Sequence, residues 1–307
     1  MSDSYYKGYW MVTNRCNLRC SYCVLENASH QLKAELDLDS KKELISHLYH
    51  KLNFRRITLS GGEVIIFGKH PPYDFIELLR HIKSLRSKDP VKNLEIEVYS
   101  NGTYLDEKVA SEMQGVVDMV AVTIDSIDDS FLTEIGRNRG RYKKYYEQIV
   151  KVCNLLSKCG IKIKLHSVIC TKNHLSLPDQ VTTILDTLEE GGSEVLCWKF
   201  YQYMSYDAPH LDSLHSIPIE LYDIFKERTR QALENRNLKL HFKDNKEMNN
   251  SLFNILSYGN AQYMRANDTW STTQRTDDLR TYNSMRELFV RHDINEALFR
   301  NFHELHR

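Results

Sequence analysis

The sequence has no excess of charge of either sign: 41 basic side chains face 41 acidic ones over 307 residues. A net charge of zero gives no bulk pull toward nucleic acid or an anionic membrane. No apolar run is long enough to cross a bilayer, and the polar opening MSDSYYKGYW is read neither as a secretory signal nor as an amphipathic anchor. No internal repeat or low-complexity tract interrupts the chain. Seven cysteines without a signal point to a reducing compartment, with the cytoplasm as the default. Clustered thiols there serve a metal or catalysis more often than disulfides. With 41% hydrophobic residues, the chain is long enough for one large core, or for a core with an appended lobe.

What is present is alternation. Strand-like runs at 9–14, 56–60, 94–100, 117–125, 162–170 and 194–202 alternate with helical stretches near 39–53, 73–87, 106–114, 142–158 and 178–190. Asp39 or Ser40 reads as the cap of the first helix, and Gly160 as the stop of the 142–158 segment. This order predicts a parallel sheet with crossover helices, either an incomplete barrel or a doubly wound sheet, with ligands at the carboxyl ends of the strands. After residue 203 the alternation fades into a polar loop, a helix at 218–236, the short run LKLHF and a polar stretch at 266–284. The expected division is a barrel over 1–203 and an extension over 204–307 that covers the barrel mouth.

The other thing missing is a fourth cysteine beside Cys16, Cys20 and Cys23; the next is Cys153. A structural zinc would need one more ligand, for which His30 is available. An iron–sulfur cube could instead place one iron on each thiolate and keep its fourth iron open. On spacing alone the two stand level. Cys153 and Cys159 are six apart on one helical stretch, so they do not share a face, while Cys170 and Cys197 fall inside strands. No second cluster is indicated.

The CX3CX2C spacing with Tyr22 before its last cysteine, followed by Ser60-Gly61-Gly62-Glu63 at the end of the second strand, resembles the radical S-adenosylmethionine superfamily. The resemblance implies an α/β fold, an incomplete (β/α)6 parallel barrel. It also implies a [4Fe–4S] cluster on Cys16, Cys20 and Cys23, with the amino-acid end of S-adenosylmethionine as the missing ligand. Gly61 and Gly62 would let the backbone approach that cofactor, and Glu63 would meet its ammonium group.

Arg56, Lys164 and Lys199 lie on three different strands among apolar neighbours. Singly, each reads as a side chain snorkelling to an edge. Together they can converge on one anion in the barrel mouth, and a triphosphate needs such a set. From the first strand to about Gln202 the chain resembles the viperin family, carried by SGGE (60–63), SNG (100–102), DSIDDSFLTEIGR (125–137), KLHSVI (164–169) and WKFYQ (198–202); the stretch 245–251 resembles one near that family's substrate pocket. The resemblance places Thr123, Arg137, His166 and Met204 at S-adenosylmethionine. It places Arg56, Ser60, Lys164, Lys199 and Arg300 at the triphosphate of a nucleotide, with Tyr9 also at the substrate. Val64 departs from the usual proline. Tyr9, Thr58 and His166 depart from asparagines, and Leu252 from a tyrosine whose place Tyr258 is positioned to take. Phosphate recognition therefore looks retained, while base and ribose recognition looks altered.

The function implied is removal of the ribose 4′ hydrogen and loss of the 3′ hydroxyl, giving a 3′-deoxy-3′,4′-didehydro nucleotide that terminates polymerase chains. A flavodoxin or ferredoxin would donate electrons to a monomer that binds neither nucleic acid nor membrane. The competing readings are a radical enzyme on another phosphorylated metabolite or a peptide, and a zinc-bound scaffold without catalysis.

Overall fold

The computed structural model describes residues 5–27, 33–89, 92–138, 144–204, 209–249, 252–265, 273–297 and 299–300. The six expected strands are there: β1 (Tyr6–Thr13), β2 (Phe54–Gly61), β3 (Glu95–Ser100), β4 (Met119–Thr123), β5 (Lys162–Ile169) and β6 (Val195–Gln202). Each pairs in parallel with the next in chain order. The connections carry α1 (Val24–Asn27), α2 (Leu38–His50), α3 (Tyr73–Leu85), α4 (Glu107–Met113), α5 (Asp129–Glu134), α6 (Tyr145–Lys158) and α7 (Val181–Glu190). These helices dock through apolar positions three and four apart, such as Leu44, Ile45 and Leu48 on α2 and Leu78, Leu79 and Ile82 on α3. The cap of α2 is Asp37, not Asp39 or Ser40: its carboxylate accepts from the Ser40 N–H at 2.8 Å. Gly160 does end α6, at φ +71°.

The segment after residue 203 extends the sheet at both edges. Beyond α8 (Pro209–His215) and α9 (Ile219–Ala232), β7 (Lys239–Lys243) pairs in parallel with β6. Past α10 (Asn245–Asn249), β8 (Phe253–Ile255) pairs in parallel with β1. β9 (Asn260–Tyr263) and β10 (Gln274–Asp278) then add antiparallel, before α11 (Met285–His292). The sheet has ten strands in the order β10-β9-β8-β1-β2-β3-β4-β5-β6-β7, an open partial barrel whose two edge strands are not paired to each other. β10 reads QRTDD, too polar and too short to show a strand period in sequence.

One core runs through both parts. Phe200 on β6 packs against Phe225 of α9 and Phe242 of β7. Tyr263, Tyr282, Leu288 and Phe289 belong to the same buried cluster as Trp10 and Phe54. Leu288→Ala is therefore expected to lower the stability of the whole chain by roughly 2–5 kcal/mol. Urea unfolding followed by tryptophan fluorescence and by circular dichroism should show one coincident transition, displaced to lower urea. Two separate transitions, with only the weaker one moved, would contradict a shared core.

Candidate active site

In a strand, alternate side chains share a face. The inward rows Lys7-Tyr9-Met11 of β1, Arg56-Thr58-Ser60 of β2, Glu97-Tyr99 of β3, Lys164-His166-Val168 of β5 and Lys199-Tyr201 of β6 line one cavity of about 490 Å³. That volume lies in the range of small-molecule sites, about 300–1,000 Å³. Because the strands are parallel, every row runs the same way. Lys7, Arg56 and Lys164 sit toward the amino ends, Lys199 and the aromatic rings in the middle, and the cysteine loop and Gly61 at the carboxyl ends. The basic residues expected in the mouth form the floor instead.

At the carboxyl end, the loop after β1 is clamped to the rest by main chain. Gly62 N–H donates to the Thr13 carbonyl at 3.0 Å and Glu63 N–H to the Arg15 carbonyl at 2.8 Å. A Cβ on Gly61 or Gly62 would collide with those same carbonyl oxygens, and one on Gly136 with that of Arg19. The close approach for which glycine is needed is thus made to the cysteine loop. On its other side the loop donates from the Arg19 and Ser21 N–H groups to the Gly136 and Ile135 carbonyls, at 3.2 and 2.9 Å.

Glu63, expected at the methionine ammonium group, is fully buried and does not line the cavity. Its carboxylate accepts from Ser100 Oγ at 2.9 and 3.1 Å and from the Asn101 N–H at 2.7 Å, tying the end of β2 to the SNG turn after β3. Burial pushes this carboxyl up to about 7, against the pull of the backbone N–H of Asn101 and the Ser100 hydroxyl. Asn101 continues the chain of contacts, donating to Asn17 at 3.0 Å and to Cys16 Sγ at 3.8 Å.

Arg137 lines the cavity from a buried position and donates to Asp125 at 2.7 Å and to the Tyr22 hydroxyl at 3.0 Å. Asp125 also accepts from the Tyr22 hydroxyl and, at 2.9 Å, from the Val168 N–H. Asp125 and Tyr22 thus hold Arg137 at the cavity wall, although the sequence motifs around them give neither side chain a role. Their signal was present: a buried arginine needs a buried carboxylate, and Asp125 stands at the end of a strand. Thr123 and Met204 line the cavity nearby.

In the middle, His166 meets Tyr99 edge-on at 4.5 Å and Tyr201 at 5.2 Å, while Tyr9 meets Tyr99 at 5.4 Å. His166 Nε2 is buried without a hydrogen-bond partner. Burial, then Lys164, Lys199 and Arg137, hold the imidazole well below its usual range, so it is neutral. Tyr258 and Leu252 both line the cavity, and the Tyr258 hydroxyl has no partner among the described residues.

On the floor, Lys164 donates to Glu97 at 2.6 Å, with 4% and 13% of the two side chains exposed. Glu97 also accepts from Thr58 at 3.2 Å. Lys199 has no carboxylate within ion-pair distance among the described residues. Burial first, then the charge of Lys164, lowers it to about 7. Arg56 lines the cavity but is half-exposed and paired with Glu95. Ser60 lines it too, its hydroxyl 3.5 Å from the Trp10 carbonyl. Arg300 leaves the expected set. It donates to Glu296 at 2.9 and 2.7 Å, stacks on the Tyr6 ring at 4.4 Å and does not line the cavity. His30, Asn250 and Ser251 lie outside the described residues.

The three loop thiols are half-buried and close enough to raise one another's proton affinity. Burial pushes Cys16 to about 11 and Cys20 to about 12, so both are thiols unless a metal's charge deprotonates them. A single zinc draws its ligands within about 2.0–2.3 Å of one point. Among the described residues, no three His, Cys, Asp or Glu side chains are gathered that way. A cube, which gives each thiolate its own iron, suits a donor set spread along one loop.

Fold and site together place a three-cysteine loop at the carboxyl ends of a parallel partial barrel, over a cavity of small-molecule size. The sequence profile of the radical SAM superfamily matches residues 10–186, more than half of the chain, and the chain belongs to that superfamily. A [4Fe–4S] cluster and S-adenosylmethionine are its resident groups. An S-adenosylmethionine-dependent nucleotide dehydratase of a Thermoplasmatales archaeon (strain ISO4-H5) is 28% identical over 165 residues, 53% of this chain and 52% of that protein. A GTP 3′,8-cyclase of Microcystis aeruginosa is 30% identical over 131 residues, 42% of this chain and 37% of that protein. The chain thus spans about half the length, or less, of these relatives. In fold it is similar to anSMEcpe with bound AdoMet and Kp18Cys peptide, at TM-score 0.65 and 15% identity, covering 96% of this chain and 84% of that one. No helix among the described residues is long and apolar enough to cross a membrane.

Replacing Cys16, Cys20 and Cys23 together by alanine should abolish cluster iron in anaerobically prepared protein, with the fold kept. A variant that still carries a full cluster's iron would place the ligands elsewhere.

Proposed function

We propose that the protein is a viperin-like nucleotide dehydratase, converting a nucleoside triphosphate to its 3′-deoxy-3′,4′-didehydro form. The observation that carries the reading is the polarity of the cavity. Cys23 of the cysteine loop and Gly61 line one end, and the buried Lys164, with Lys199 reaching it from mid-strand, lines the other. A nucleotide with its phosphates on that floor points its ribose toward the cysteine loop. Glu97 is the single carboxylate among the cavity-lining residues, so the floor has cationic capacity to spare. Both relatives named above carry a nucleotide in their names, which supports the substrate class.

Bound at the mouth, the cluster and S-adenosylmethionine supply the radical that removes the 4′ hydrogen. The conversion breaks the C4′–H and C3′–O bonds and forms C3′=C4′. One further electron and one proton enter from an external donor such as flavodoxin or ferredoxin, and the hydroxyl leaves as water. The chain contributes placement. Lys164 and Lys199 fix the triphosphate, with Arg56 and Ser60 beside them. Thr123, Arg137, His166 and Met204 shape the cofactor end, and the tyrosine wall excludes water. The direct test incubates reduced protein with S-adenosylmethionine and each nucleoside triphosphate, scoring 5′-deoxyadenosine and the didehydro product. Turnover of a peptide, with all nucleotides inert, would overturn the reading.

Losing one charge-assisted contact costs about 1.5–3 kcal/mol, or about tenfold to a hundredfold in binding. Lys164→Ala and Lys199→Ala should each raise the nucleotide Kd by that much, with cluster content intact. Nucleosides should bind poorly to every form; equal binding of nucleoside and triphosphate would remove the phosphate assignment.

The lowered lysine adds a pH dependence. Free Lys199 loses its proton near pH 7, and a bound phosphate favours the charged form and raises that value. Below pH 7 binding needs no proton. Above it binding must take one up, so Kd rises with pH by up to about tenfold per unit. Calorimetry at pH 8 in two buffers of different ionisation heat should show this uptake in the parent and not in Lys199→Ala.

Tyr9 and His166 lie between floor and mouth, where base and ribose would pass. Changing both to asparagine should reorder the preferred nucleotides. An unaltered order with full S-adenosylmethionine cleavage would assign base choice to other residues.

A further inference from the structure

A second cavity, of about 580 Å³, opens below the first. It is lined from the amino ends of the strands: Lys7 of β1, Arg56 of β2, Glu95 of β3, Met119 of β4, Cys197 of β6 and Lys239 of β7. Lys7, Arg56, Glu97 and Lys164 line both cavities, so what divides them is side chain, not sheet. The partition is the Lys164–Glu97 pair at 2.6 Å beside the Arg56–Glu95 pair.

The lower space remains basic. Of its three carboxylates, Glu95 is held by Arg56, Glu97 by Lys164, and Asp118 by both oxygens on Arg86 at 2.6 and 2.7 Å. Lys239 has no carboxylate within ion-pair distance among the described residues, and it faces the space with Lys7. His241 is lowered to about 4 by burial and then by Lys199, Lys164, Lys243 and Lys239, which reports how positive the surroundings are.

Resting on the nucleotide reading, we infer that the floor is a doorway: the terminal phosphate of the bound nucleotide reaches the Lys164–Glu97 partition, and a group attached to that phosphate passes into the lower cavity. The substrate class thereby widens to nucleoside polyphosphates extended or substituted at the terminal phosphate. A closed floor would admit only the free triphosphate, since any added atom would meet the partition. Here the partition is an ion pair that the phosphate itself competes for, taking Lys164 from Glu97. The rotation of two side chains then joins the cavities with no movement of backbone. Lys7 and Lys239 beyond the partition attract the arriving anion and offset the repulsion from the Glu97 left behind.

The experiment compares three probes on the cluster-loaded protein by calorimetry. They are the best-bound nucleoside triphosphate, the same triphosphate carrying an uncharged hexyl group on its terminal phosphate, and the corresponding nucleoside tetraphosphate. The hexyl derivative should bind within about threefold of the triphosphate, because its substituent finds open space and adds no cation to a basic cavity. Lys239→Glu should weaken the tetraphosphate more than the triphosphate, changing the ratio of their Kd values by about fivefold or more. If the triphosphate binds but the hexyl derivative is weaker by more than about fiftyfold, the floor is closed and the inference is wrong. An unchanged ratio in Lys239→Glu, with both probes bound, also counts against it. Failure of the triphosphate itself to bind removes the nucleotide reading and the doorway with it, a result distinct from the other two.

Discussion

Two main-chain hydrogen bonds, from Gly62 to the Thr13 carbonyl and from Glu63 to the Arg15 carbonyl, hold the cysteine loop against the end of β2. Everything at the mouth depends on that seam. It exists because neither glycine has a Cβ, and a methyl group at either would occupy the space of the accepting oxygen. The seam continues inward through Glu63, whose buried carboxylate gathers Ser100 and Asn101, and through Asn101 to Asn17 and Cys16. The loop is therefore positioned by backbone and by one carboxylate that ties the end of β2 to the end of β3. A cluster seated there inherits a fixed place over the cavity, and geometry of that kind lowers the cost of bringing reactants together.

The second constraint is the parallel sheet. With every strand running the same way, inward rows become layers, and the layers can be assigned different chemistry. Lys164, His166 and Val168 climb β5 from charge through a neutral ring to an apolar contact, and β1 repeats the sequence as Lys7, Tyr9, Met11. The aromatic layer lies between Lys7 and Lys164 on the floor and the cysteine loop. Its rings meet at edges, from Tyr9 through Tyr99 and His166 to Tyr201. Such contacts are stable without hydrogen bonds to water, and they leave the His166 nitrogen unsatisfied. The resemblance to the viperin family leads one to expect an asparagine here, whose amide would seek partners. The histidine instead stays neutral under three nearby cations.

Much of this was legible in the sequence, for identifiable reasons. The six strands and their helices show because buried parallel strands and amphipathic helices each impose a period on apolar residues. The cysteine triplet and SGGE show because their spacing is local. What failed to show depends on pairing across distance. Glu97 was hidden as one polar residue in LEIEVYS, although Glu95, Glu97 and Tyr99 alternate on one face and mark it as the lining of something polar. The floor was read as the mouth because sequence gives a strand's residues without saying how deep each one sits. Arg300 was assigned to phosphate by alignment, yet a half-exposed arginine one helical turn from Glu296 has a partner at hand. β8 to β10 escaped because three to five residues, several of them charged, carry no readable period.

The charge balance of the cavity explains how a set of buried lysines is tolerated before any anion arrives. Two like charges in one low-dielectric space repel strongly. The structure answers unequally: Lys164 is given Glu97, and its burial penalty is more than offset by that carboxylate, so it stays charged. Lys199 has no carboxylate within ion-pair distance among the described residues, and burial and Lys164 lower it to about 7 against the pull of Glu97. The empty floor is thus closer to neutral than a count of its lysines suggests, which limits what the fold loses by burying them. On the proposed nucleotide reading, an arriving polyanion would restore the proton to Lys199 and compete for Lys164, so the full positive charge of the floor would appear only with an anion to meet it. A triphosphate carries charge for both tasks, which a monoanion does not.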